Sequence, residues 1–565
     1  MRHDKHRATN MITYTYPALK QGEELLTITQ SVCPYCYKIL PSIIVERKGK
    51  VYIRRRCPEH GEVEELYYGD VGLYKKMVKW VKEGRGARHI YTPLIEPCPF
   101  SCGLCPLHKQ HTALVNLVAT NRCDLSCWYC FFFSEASGYV YEPSINDIIE
   151  MIRSVKKQGI TVNVQITGGE PLLRKDLVEI VKALKKEGVR HIQLNTNGIR
   201  FSQLFWEKPA KAISYARELR VSGVNTIYLS FDGVTPVTNW KNHWEIPYIL
   251  EVFRKSRMTS TVLVPTVLRG VNTHELGAIV KFAAKHNDVV RGVNFQPVSL
   301  TGMMKKHERA KYRITIADLI KLIEEQTDGE IPREAWYPVP VSAIFSRLIE
   351  GIAREFKFEM TNHPICGAAT YIYVEKRGKS LPRLRPITEF VDVDGLLEYL
   401  DEKWEELFSG STRLLTGLKI LYSIKKFFYE DKMPPGVNIY RLLFNIVIRR
   451  NYEALGELHY KMLFIGSMHF MDLYNYDIQR VQRCNIHYVV PGGKLIPFCA
   501  YNIFDDIYRD KILKENSIPL EEYSKKLGLP TGIATKKYIR DRRKLESTEI
   551  YKTTYEGIIE YIQKK

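Results

Sequence analysis

The cysteines of this 565-residue chain fall into four groups of three, and one group has the spacing of a metal-cluster loop. Cys123, Cys127 and Cys130 follow the pattern C-x3-C-x2-C. Three thiolates on one short loop can bind three irons of a [4Fe–4S] cluster and leave the fourth iron open. A zinc knuckle is the alternative, but the second ligand pair of a structural zinc site is missing. We therefore predict an iron–sulfur cluster with an open iron.

A second motif comes after the next predicted strand, where residues 167–171 read Thr-Gly-Gly-Glu-Pro. Gly168 and Gly169 would let the backbone approach a ligand closely, and the Glu170 carboxylate could accept a hydrogen bond from an ammonium group. Alone, this sequence is typical of a common turn. Its position at the end of the strand that follows the cysteine loop favours a ligand site.

The first cysteine group predicts a mononuclear metal site. Cys33 and Cys36 form a C-x2-C pair, and Cys57 with His60 forms a C-x2-H pair. These four side chains are the ligand types of a tetrahedral zinc site, and the pattern also resembles a rubredoxin-like iron site. We expect one iron or zinc that stabilises a small domain or relays electrons.

The two remaining groups predict auxiliary clusters. Cys98, Cys102 and Cys105 repeat the C-x3-C-x2-C spacing, but no strand precedes them and no Gly-Gly-Glu follows. Cys484 and Cys499 flank a turn-rich segment that resembles the C-terminal auxiliary-cluster domains of known iron–sulfur enzymes, and this resemblance implies Cys366 as their third ligand. The alternative for Cys366 is a buried apolar cysteine, which is common.

The elements that must position these residues alternate between strands and helices. Apolar runs at 114–119, 162–166, 191–194, 226–229, 260–266 and 293–295 are separated by amphipathic helical stretches. This alternation predicts an α/β fold, a partial (β/α)6 barrel with its chemistry at the carboxyl ends of the strands. We divide the chain into a metal domain (1–85), an auxiliary-cluster segment (86–112), this core (113–300), a helical extension (301–480) and a C-terminal auxiliary-cluster domain (481–565).

Charge and composition indicate the kind of partner and the cellular location to expect. Lys and Arg number 83 against 63 Asp and Glu, a formal charge of +20, which favours an anionic partner or a solubilising surface. We find no signal peptide and no apolar run of the roughly 20 residues that a spanning helix needs, and so expect a cytoplasmic protein. The basic run 536–544 and the amphipathic segments 413–428 and 439–450 are typical of a membrane interface, with core packing as the alternative.

The cysteine loop and the Gly-Gly-Glu-Pro motif resemble those of the radical S-adenosylmethionine (SAM) superfamily over about residues 110–300. The resemblance implies that SAM binds the open iron and is cleaved to give a carbon radical. It also implies a set of SAM-binding residues, for which simple turn chemistry is the alternative: Tyr129 near adenine, then Gly168, Gly169, Glu170, Asn195, Asn197, Ser230 and Asp232. Ala113 stands where related chains carry a fourth cysteine for the early auxiliary cluster. We assign no catalytic side chain.

The full layout further resembles the archaeal tetraether lipid synthases. This implies coupling of the terminal methyl carbons of archaeal diether phospholipids to give tetraether or macrocyclic lipids. It also implies SAM, three [4Fe–4S] clusters, one mononuclear iron or zinc, a reducing electron donor and peripheral contact with an anionic membrane surface, with no nucleic acid. The substrate cavity would then be a tunnel lined by Leu, Ile, Phe and Met.

Two rival hypotheses remain open. One is a radical SAM methylase acting on a pterin precursor, which the extra metal sites also suit. The other is a redox or RNA-binding iron–sulfur protein without catalysis, which the Gly-Gly-Glu motif and the six βα units disfavour. Cobalamin-dependent methylation is disfavoured because no cobalamin-binding domain precedes the cysteine loop.

Overall fold

The computed structural model describes residues 15–564, except 88, 133, 305, 354–358, 379, 410–418, 421, 436 and 438–459. The predicted amphipathic segment 413–428 therefore lies partly outside the described residues, and the segment 439–450 lies wholly outside them. Within the first segment, Lys425–Phe427 forms a single 3-10 turn.

The N-terminal unit is a four-stranded antiparallel sheet in chain order. Its strands are β1 (Glu24–Val32), β2 (Ile39–Arg47), β3 (Lys50–Cys57) and β4 (Gly61–Tyr68), followed by helix α1 (Val71–Lys79). The β1–β2 and β3–β4 connections lie at the same end of the sheet and carry the first cysteine group. Arg55, which is fully buried, donates to the carbonyl oxygens of Tyr474 at 2.9 Å and Leu473 at 3.0 Å, and so fastens this sheet to the C-terminal half of the chain.

The second sheet contains all six strands that the sequence predicts. They are β5 (Leu114–Thr120), β7 (Asn163–Gly168), β8 (His191–Thr196), β9 (Thr226–Ser230), β10 (Thr261–Val264) and β12 (Val290–Pro297). These six are parallel and are neighbours in chain order. The α/β class is therefore confirmed, and the partial barrel stays a prediction. Two short strands lie between these six along the chain: β6 (Tyr139–Val140), which belongs to a separate sheet, and β11 (Thr266–Val267), which pairs with β12.

Helices separate the strands as the amphipathic pattern predicts. Ser144 caps α3 through a capping box with Asp147, which satisfies two backbone N–H groups at the helix start. The helices of this half are α2 (Ser134–Ser137), α3 (Ile145–Lys157), α4 (Leu177–Lys186), α5 (Ile199–Glu207), α6 (Pro209–Ser222), α7 (Ile246–Ser256) and α8 (Leu276–Lys285).

In the described part of the extension 301–480, which the sequence predicts to be mainly helical, four strands join the second sheet. Strand β16 (Met462–Met468) pairs in parallel with β12, and β14 (Gly367–Arg377) pairs antiparallel with β16 and with β15 (Ser380–Pro386). The short β13 (Tyr337–Pro338) closes this side. Among the described residues of this extension, the helices are α9 (Arg309–Tyr312), α10 (Ile316–Gln326), α11 (Ser342–Ala353), α12 (Val393–Ser409) and Ile478–Gln482.

The C-terminal segment extends the other side of the same sheet. Strand β17 (Ile486–Val489) pairs in parallel with β5, and β18 (Leu495–Pro497) pairs antiparallel with β17. Strand β19 (Ile518–Pro519) pairs with β6. The remaining helices are Phe498–Ile503, Arg509–Glu515, Leu520–Lys526, Arg542–Glu546, Glu549–Tyr555 and Ile558–Gln563. Residues 481–565 are thus continuous with the core sheet.

An aromatic core packs against several of the cysteines. We define it by the side chains Phe132, Tyr476, Tyr488, Phe498, Tyr501 and Phe504. Cys102 is buried in it, and Cys98, Cys130, Cys484 and Cys499 pack against it. One apolar region therefore contacts cysteines of three groups. Across the described part of the chain, no helix has both the length and the apolar content needed to cross a membrane.

Candidate functional site

A cavity of about 330 Å³ opens at the carboxyl ends of the parallel strands. Parallel strands bring the residues that follow them to one edge of the sheet, so motifs far apart in sequence meet there. Of the residues predicted for the open cluster and for SAM, all but Asp232 line this cavity: Cys123, Cys127, Tyr129, Cys130, Gly168, Gly169, Glu170, Asn195, Asn197 and Ser230.

The two glycines hold the start of the cysteine loop. Gly168 has φ of +127°, and a Cβ there would lie 2.1 Å from the Thr120 carbonyl oxygen. A Cβ on Gly169 would lie 2.1 Å from the Arg122 carbonyl oxygen. The Gly169 N–H donates to Thr120 O at 2.7 Å, and the Glu170 N–H donates to Arg122 O at 2.8 Å. Glycine is required here because the backbone of this turn contacts the backbone that leads into Cys123.

Glu170 joins two strand ends. Its Oε1 accepts from Thr196 Oγ1 at 2.7 Å, and its Oε2 accepts from the Asn197 N–H at 2.7 Å. Asn197 Nδ2 donates in turn to Asp124 Oδ1 at 2.8 Å, inside the cysteine loop. Burial, followed by the nearby Asp124 carboxylate, raises the pKa of Glu170 to about 8. The carboxylate thus lies where the sequence predicts and positions the loop as well as the cavity wall.

Asp232 forms a second polar cluster, with Tyr129 and Lys241. Its carboxylate accepts from the Tyr129 hydroxyl and from the Thr266 N–H at 3.0 Å, and lies 2.9 Å from Lys241 Nζ. Burial alone would lower the pKa of Lys241, but the Asp232 carboxylate and the Cys127 thiol raise it. Lys241 is therefore a buried cation that lines the cavity beside Cys127. The sequence analysis did not identify it.

Residues distant in sequence also hold the cysteine loop. The Met303 N–H donates to the Cys130 carbonyl oxygen at 3.0 Å. Gly302 has a φ of +61°, and a Cβ at this position would lie only 2.4 Å from the same oxygen. On the other side, Lys537 Nζ donates to the Cys123 carbonyl at 2.9 Å. Neither contact has a local sequence signal.

The basic run 536–544, which we expected to face a membrane, is largely exposed but makes several contacts with the protein itself. Arg540 lies 3.0 Å from Glu245 Oε1 and donates to the Trp240 carbonyl at 2.8 Å. Arg542 and Lys544 lie over the rings of Trp244 and Trp206. These cations find carboxylate, carbonyl and aromatic partners within the chain.

The inner wall of the cavity is polar, so the predicted apolar tunnel is wrong. Asn116, Gln165, Asn195, Tyr228, Asn294 and Gln296 line it from five neighbouring strands. Asn116 is fully buried, and neither its Nδ2 nor its Oδ1 has a hydrogen-bond partner among the described residues. Phe470 and Phe498 form a stacked pair at the wall, with ring centroids 3.8 Å apart. A buried polar group without a hydrogen-bond partner destabilises the fold, and this indicates that a bound ligand supplies the missing partners.

The first cysteine group has the geometry of a single-ion site. Cys36 and Cys57 sulfurs lie 3.8 Å apart, and His60 Nδ1 lies 3.6 Å from Cys33 Sγ and 3.5 Å from Cys57 Sγ. All four ligand atoms lie within 4.8 Å of one another. Tetrahedral bonds of about 2.3 Å place ligands about 3.8 Å apart, so one zinc or iron fits.

The other groups have wider spacing. In the described part of the chain, no other three metal-ligand atoms lie as close together as in the first group. Wider spacing suits a cluster, in which each thiolate binds a different iron. Cys98, Cys102 and Cys105 surround a small cavity that His108 also lines. Cys366, Cys484 and Cys499 come from three separate segments of the chain. Cys499 lies near both Cys484 and Cys366, and burial together with Cys484 raises the pKa of the Cys499 thiol.

Comparison with known proteins gives two family matches and one close relative. Residues 117–283 match the radical SAM superfamily model, and residues 25–69 match the HMPTM N-terminal zinc ribbon domain. The chain is 44% identical over 506 residues, 88% of this chain and 97% of the other, to the 7,8-dihydro-6-hydroxymethylpterin dimethyltransferase of Methanocaldococcus jannaschii.

More distant matches cover less of the chain. The probable GTP 3′,8-cyclase of Methanosarcina acetivorans is 27% identical over 51% of this chain and 82% of that protein. The crystal structure of Streptococcus suis SuiB matches 39% of this chain and 46% of that one at 17% identity, with a TM-score of 0.30.

The relative from M. jannaschii contradicts part of the sequence analysis. Its name specifies a pterin substrate and methyl transfer, whereas we predicted a tetraether lipid synthase that couples diether phospholipids at a membrane surface. The lipid substrate, the lipid product and the membrane partner are therefore withdrawn. The rival hypothesis of a pterin methylase agrees with the relative.

Proposed function

Because the chain belongs to the family of the M. jannaschii 7,8-dihydro-6-hydroxymethylpterin dimethyltransferase, we propose that it transfers methyl groups to a reduced pterin. It is a radical SAM enzyme, and this class uses SAM with a [4Fe–4S] cluster. Its N-terminal zinc ribbon provides a further metal site.

We assign the cluster to Cys123, Cys127 and Cys130, whose thiols share one cavity. When bound, the cluster and SAM supply a carbon radical that removes hydrogen from a C–H bond. The eight SAM-binding residues predicted from the sequence keep that role in this proposal. We add Lys241, because a buried cation beside Cys127 suits the SAM carboxylate.

The polar inner wall of the cavity is the observation that carries the pterin proposal. A pterin is a flat bicyclic ring with nitrogen, amino and carbonyl groups along its edge. The amides of Asn116, Gln165 and Gln296 offer both donors and acceptors to such an edge. The Phe470 and Phe498 rings offer apolar contact to the ring system.

We further propose that the outer cysteine groups hold two auxiliary [4Fe–4S] clusters. Cys98, Cys102 and Cys105 would bind one, and Cys366, Cys484 and Cys499 the other. Both groups contact the aromatic core that Cys130 also contacts, which supports a common role in electron supply. The zinc ribbon would then be the fourth metal site.

The test uses anaerobically reconstituted protein with SAM, dithionite and 7,8-dihydro-6-hydroxymethylpterin. We expect pterin-stimulated release of 5′-deoxyadenosine and a pterin that gains one or two methyl groups by mass spectrometry. Parallel reactions with isotope in the SAM methyl group or in an added one-carbon carrier identify the methyl source. SAM cleavage that the pterin does not stimulate, without any methylated pterin under either condition, would contradict the proposal.

Two variants separate substrate binding from cluster chemistry. Asn116→Leu should weaken pterin binding by about tenfold, because it removes two buried hydrogen-bonding atoms, while SAM cleavage without pterin continues. Cys127→Ala should abolish cleavage altogether. Asn225→Leu serves as the matched control, since Asn225 Oδ1 accepts from the Ile192 N–H at 2.9 Å and does not line the cavity.

A further inference from the structure

A patch of apolar side chains is exposed to solvent between residues 90 and 107. Ile90, Tyr91, Leu94, Ile95 and Leu107 are 58%, 51%, 46%, 79% and 37% exposed. We call these five side chains the 90–107 patch. Exposure of so many large apolar groups in one short stretch is costly and indicates a contact surface.

The patch lies directly over the early cysteine group. Leu94 and Leu107 line the small cavity that Cys98, Cys102 and Cys105 surround. On its outer side the patch borders a groove of about 390 Å³, which Tyr91 and Ile95 line. Ser101 lines both this groove and the small cavity. Cys98 is half-buried, so the early group lies close to the surface beside this patch.

The rim of the groove is basic. Lys157 and Lys494 line it, and the whole chain carries a formal charge of +20. Lys157 is exposed and Lys494 is half-buried. Glu96, which is exposed, is the acidic residue in the segment that carries the patch. An apolar centre with a rim of one charge is typical of a small, transient interface whose partner has the opposite charge.

We propose that the 90–107 patch is the docking surface for an acidic one-electron carrier protein that reduces the early auxiliary cluster. This inference rests on the proposed function, since it requires a cluster at Cys98, Cys102 and Cys105. The reduced carrier gives up one electron and is oxidised, and the cluster gains that electron. No bond forms or breaks and no proton moves in this step.

The path inward supports an electron donor in preference to other partners. Cys98 and Cys102 pack on the aromatic core, and Cys130 of the SAM-cluster loop packs on the same core. An electron that enters below the patch is therefore separated from the proposed SAM cluster by contiguous packed side chains. A docked substrate carrier or regulator would have no reason to lie over a metal site.

The experiment compares two reductants in the full-length reconstituted protein. Dithionite is small and needs no docking surface, whereas a reduced, acidic bacterial-type ferredoxin does. The double variant Ile95→Glu/Lys494→Glu should lower ferredoxin-driven SAM cleavage by about tenfold and weaken ferredoxin binding in calorimetry, because it adds like charge to the interface. Dithionite-driven cleavage should be unchanged. The ferredoxin-driven rate of the wild type should also fall as salt increases.

Val221→Glu is the control, because Val221 is 77% exposed on α6, away from the patch. Unchanged ferredoxin binding in the double variant would overturn the proposal. The proposal would also be overturned if the double variant lost binding to anionic vesicles, or lost self-association in sedimentation, while its ferredoxin-driven SAM cleavage stayed intact. If the wild type cleaves no SAM with dithionite, the proposed function fails, while calorimetry still reports whether ferredoxin docks at this surface.

Discussion

Arg480 donates a hydrogen bond from Nε to the sulfur of Cys366 at 3.2 Å, and its guanidinium is buried. Its Nη2 also donates to the His469 carbonyl at 2.7 Å, so the side chain is held on both sides. A fixed positive charge therefore lies against one of the three cysteines of the proposed late cluster. Positive charge favours the reduced, more negative state of such a cluster.

We expect Arg480→Gln to lower the reduction potential of the late cluster by tens of millivolts, measured by redox titration with electron paramagnetic resonance. Arg480→Lys keeps the positive charge and should therefore keep the reduction potential close to the wild-type value. Arg153→Gln is the control, because Arg153 lies on the exposed side of α3, where it pairs with Glu187. Equal shifts in Arg480→Gln and Arg480→Lys would show that packing, and not charge, is responsible.

Removal of the central cysteines should abolish catalysis. In Cys123→Ala/Cys127→Ala/Cys130→Ala, three iron ligands are lost together, so 5′-deoxyadenosine formation should fall to background. Iron and sulfide analysis should show one [4Fe–4S] cluster fewer than in the wild type, for which we predict three. Retained SAM cleavage in the triple variant would place the SAM cluster elsewhere.

The zinc ribbon should contribute to stability more than to chemistry. Cys57→Ala removes one of four ligands that lie within 4.8 Å of one another, so one metal equivalent should be lost and the melting temperature should fall. SAM cleavage driven by dithionite should persist at low temperature. Arg56→Ala, at an exposed neighbouring position, should change neither quantity. Undiminished metal content in Cys57→Ala would contradict the site.

A methyl group at Gly302 should damage the cysteine loop. Its Cβ would lie 2.4 Å from the Cys130 carbonyl oxygen, so Gly302→Ala must displace the loop or the segment that holds it. We expect loss of the SAM-dependent change in the cluster's paramagnetic spectrum and at least tenfold slower cleavage. Gly270→Ala is the matched control: its φ of +73° imposes the same backbone strain, about 1 kcal/mol, with no atom within 4 Å of the added carbon. Equal effects at both positions would assign the loss to strain alone.

Acid should loosen the C-terminal helix Glu549–Tyr555. His286 Nε2 donates to the Thr554 carbonyl at 3.0 Å, and burial lowers the pKa of His286 to about 4. Because this pKa lies below the usual 6.5, the stabilisation is present above pH 6.5 and is lost as the pH falls toward 4, by about 2 kcal/mol at pH 5.

Hydrogen exchange of residues 549–563, corrected for the intrinsic pH effect, measures this loosening. His286→Gln keeps a donor for the Thr554 carbonyl and should weaken the pH dependence between pH 7.5 and 5. Part of the dependence should remain, because His243 contacts Tyr551 of the same helix and burial lowers its pKa to about 3. His274→Gln, at a side chain that is 61% exposed, should leave the dependence unchanged. An undiminished dependence in His286→Gln would assign it to another group.

The strands and most of the cavity wall could be predicted because their signals are local. Each βα unit has its own hydrophobic pattern, and parallel order then brings the strand-end residues to one edge. Lys241 and Gly302 could not be found in this way, because each reaches the site from a loop whose sequence contains no motif. Strand β14 was likewise hidden, since its pairing partner β16 lies about ninety residues further on.

The substrate class was predicted wrongly although a signal was present. Asn116 interrupts the apolar run Leu114–Ala119 at a position whose side chain faces the cavity, and Gln165 does the same on the next strand. A polar residue in the middle of a buried strand needs a hydrogen-bond partner. We gave more weight to basic and amphipathic segments outside the core, and the basic run 536–544 is used to fasten the chain to itself.

The pairing of β5 with β17 governs how the protein is made. Strand β5 carries the cysteine loop at its end, yet its neighbour Ile486–Val489 leaves the ribosome some 370 residues later. Until then β5 has an open edge, and an open strand edge invites association with other chains. We therefore expect the loop at the end of β5 to reach its final position only after nearly the whole polypeptide has been made. A half-synthesised chain would then expose both an open strand edge and unliganded cysteines, so cluster insertion into the complete chain avoids aggregation and oxidation of the thiols.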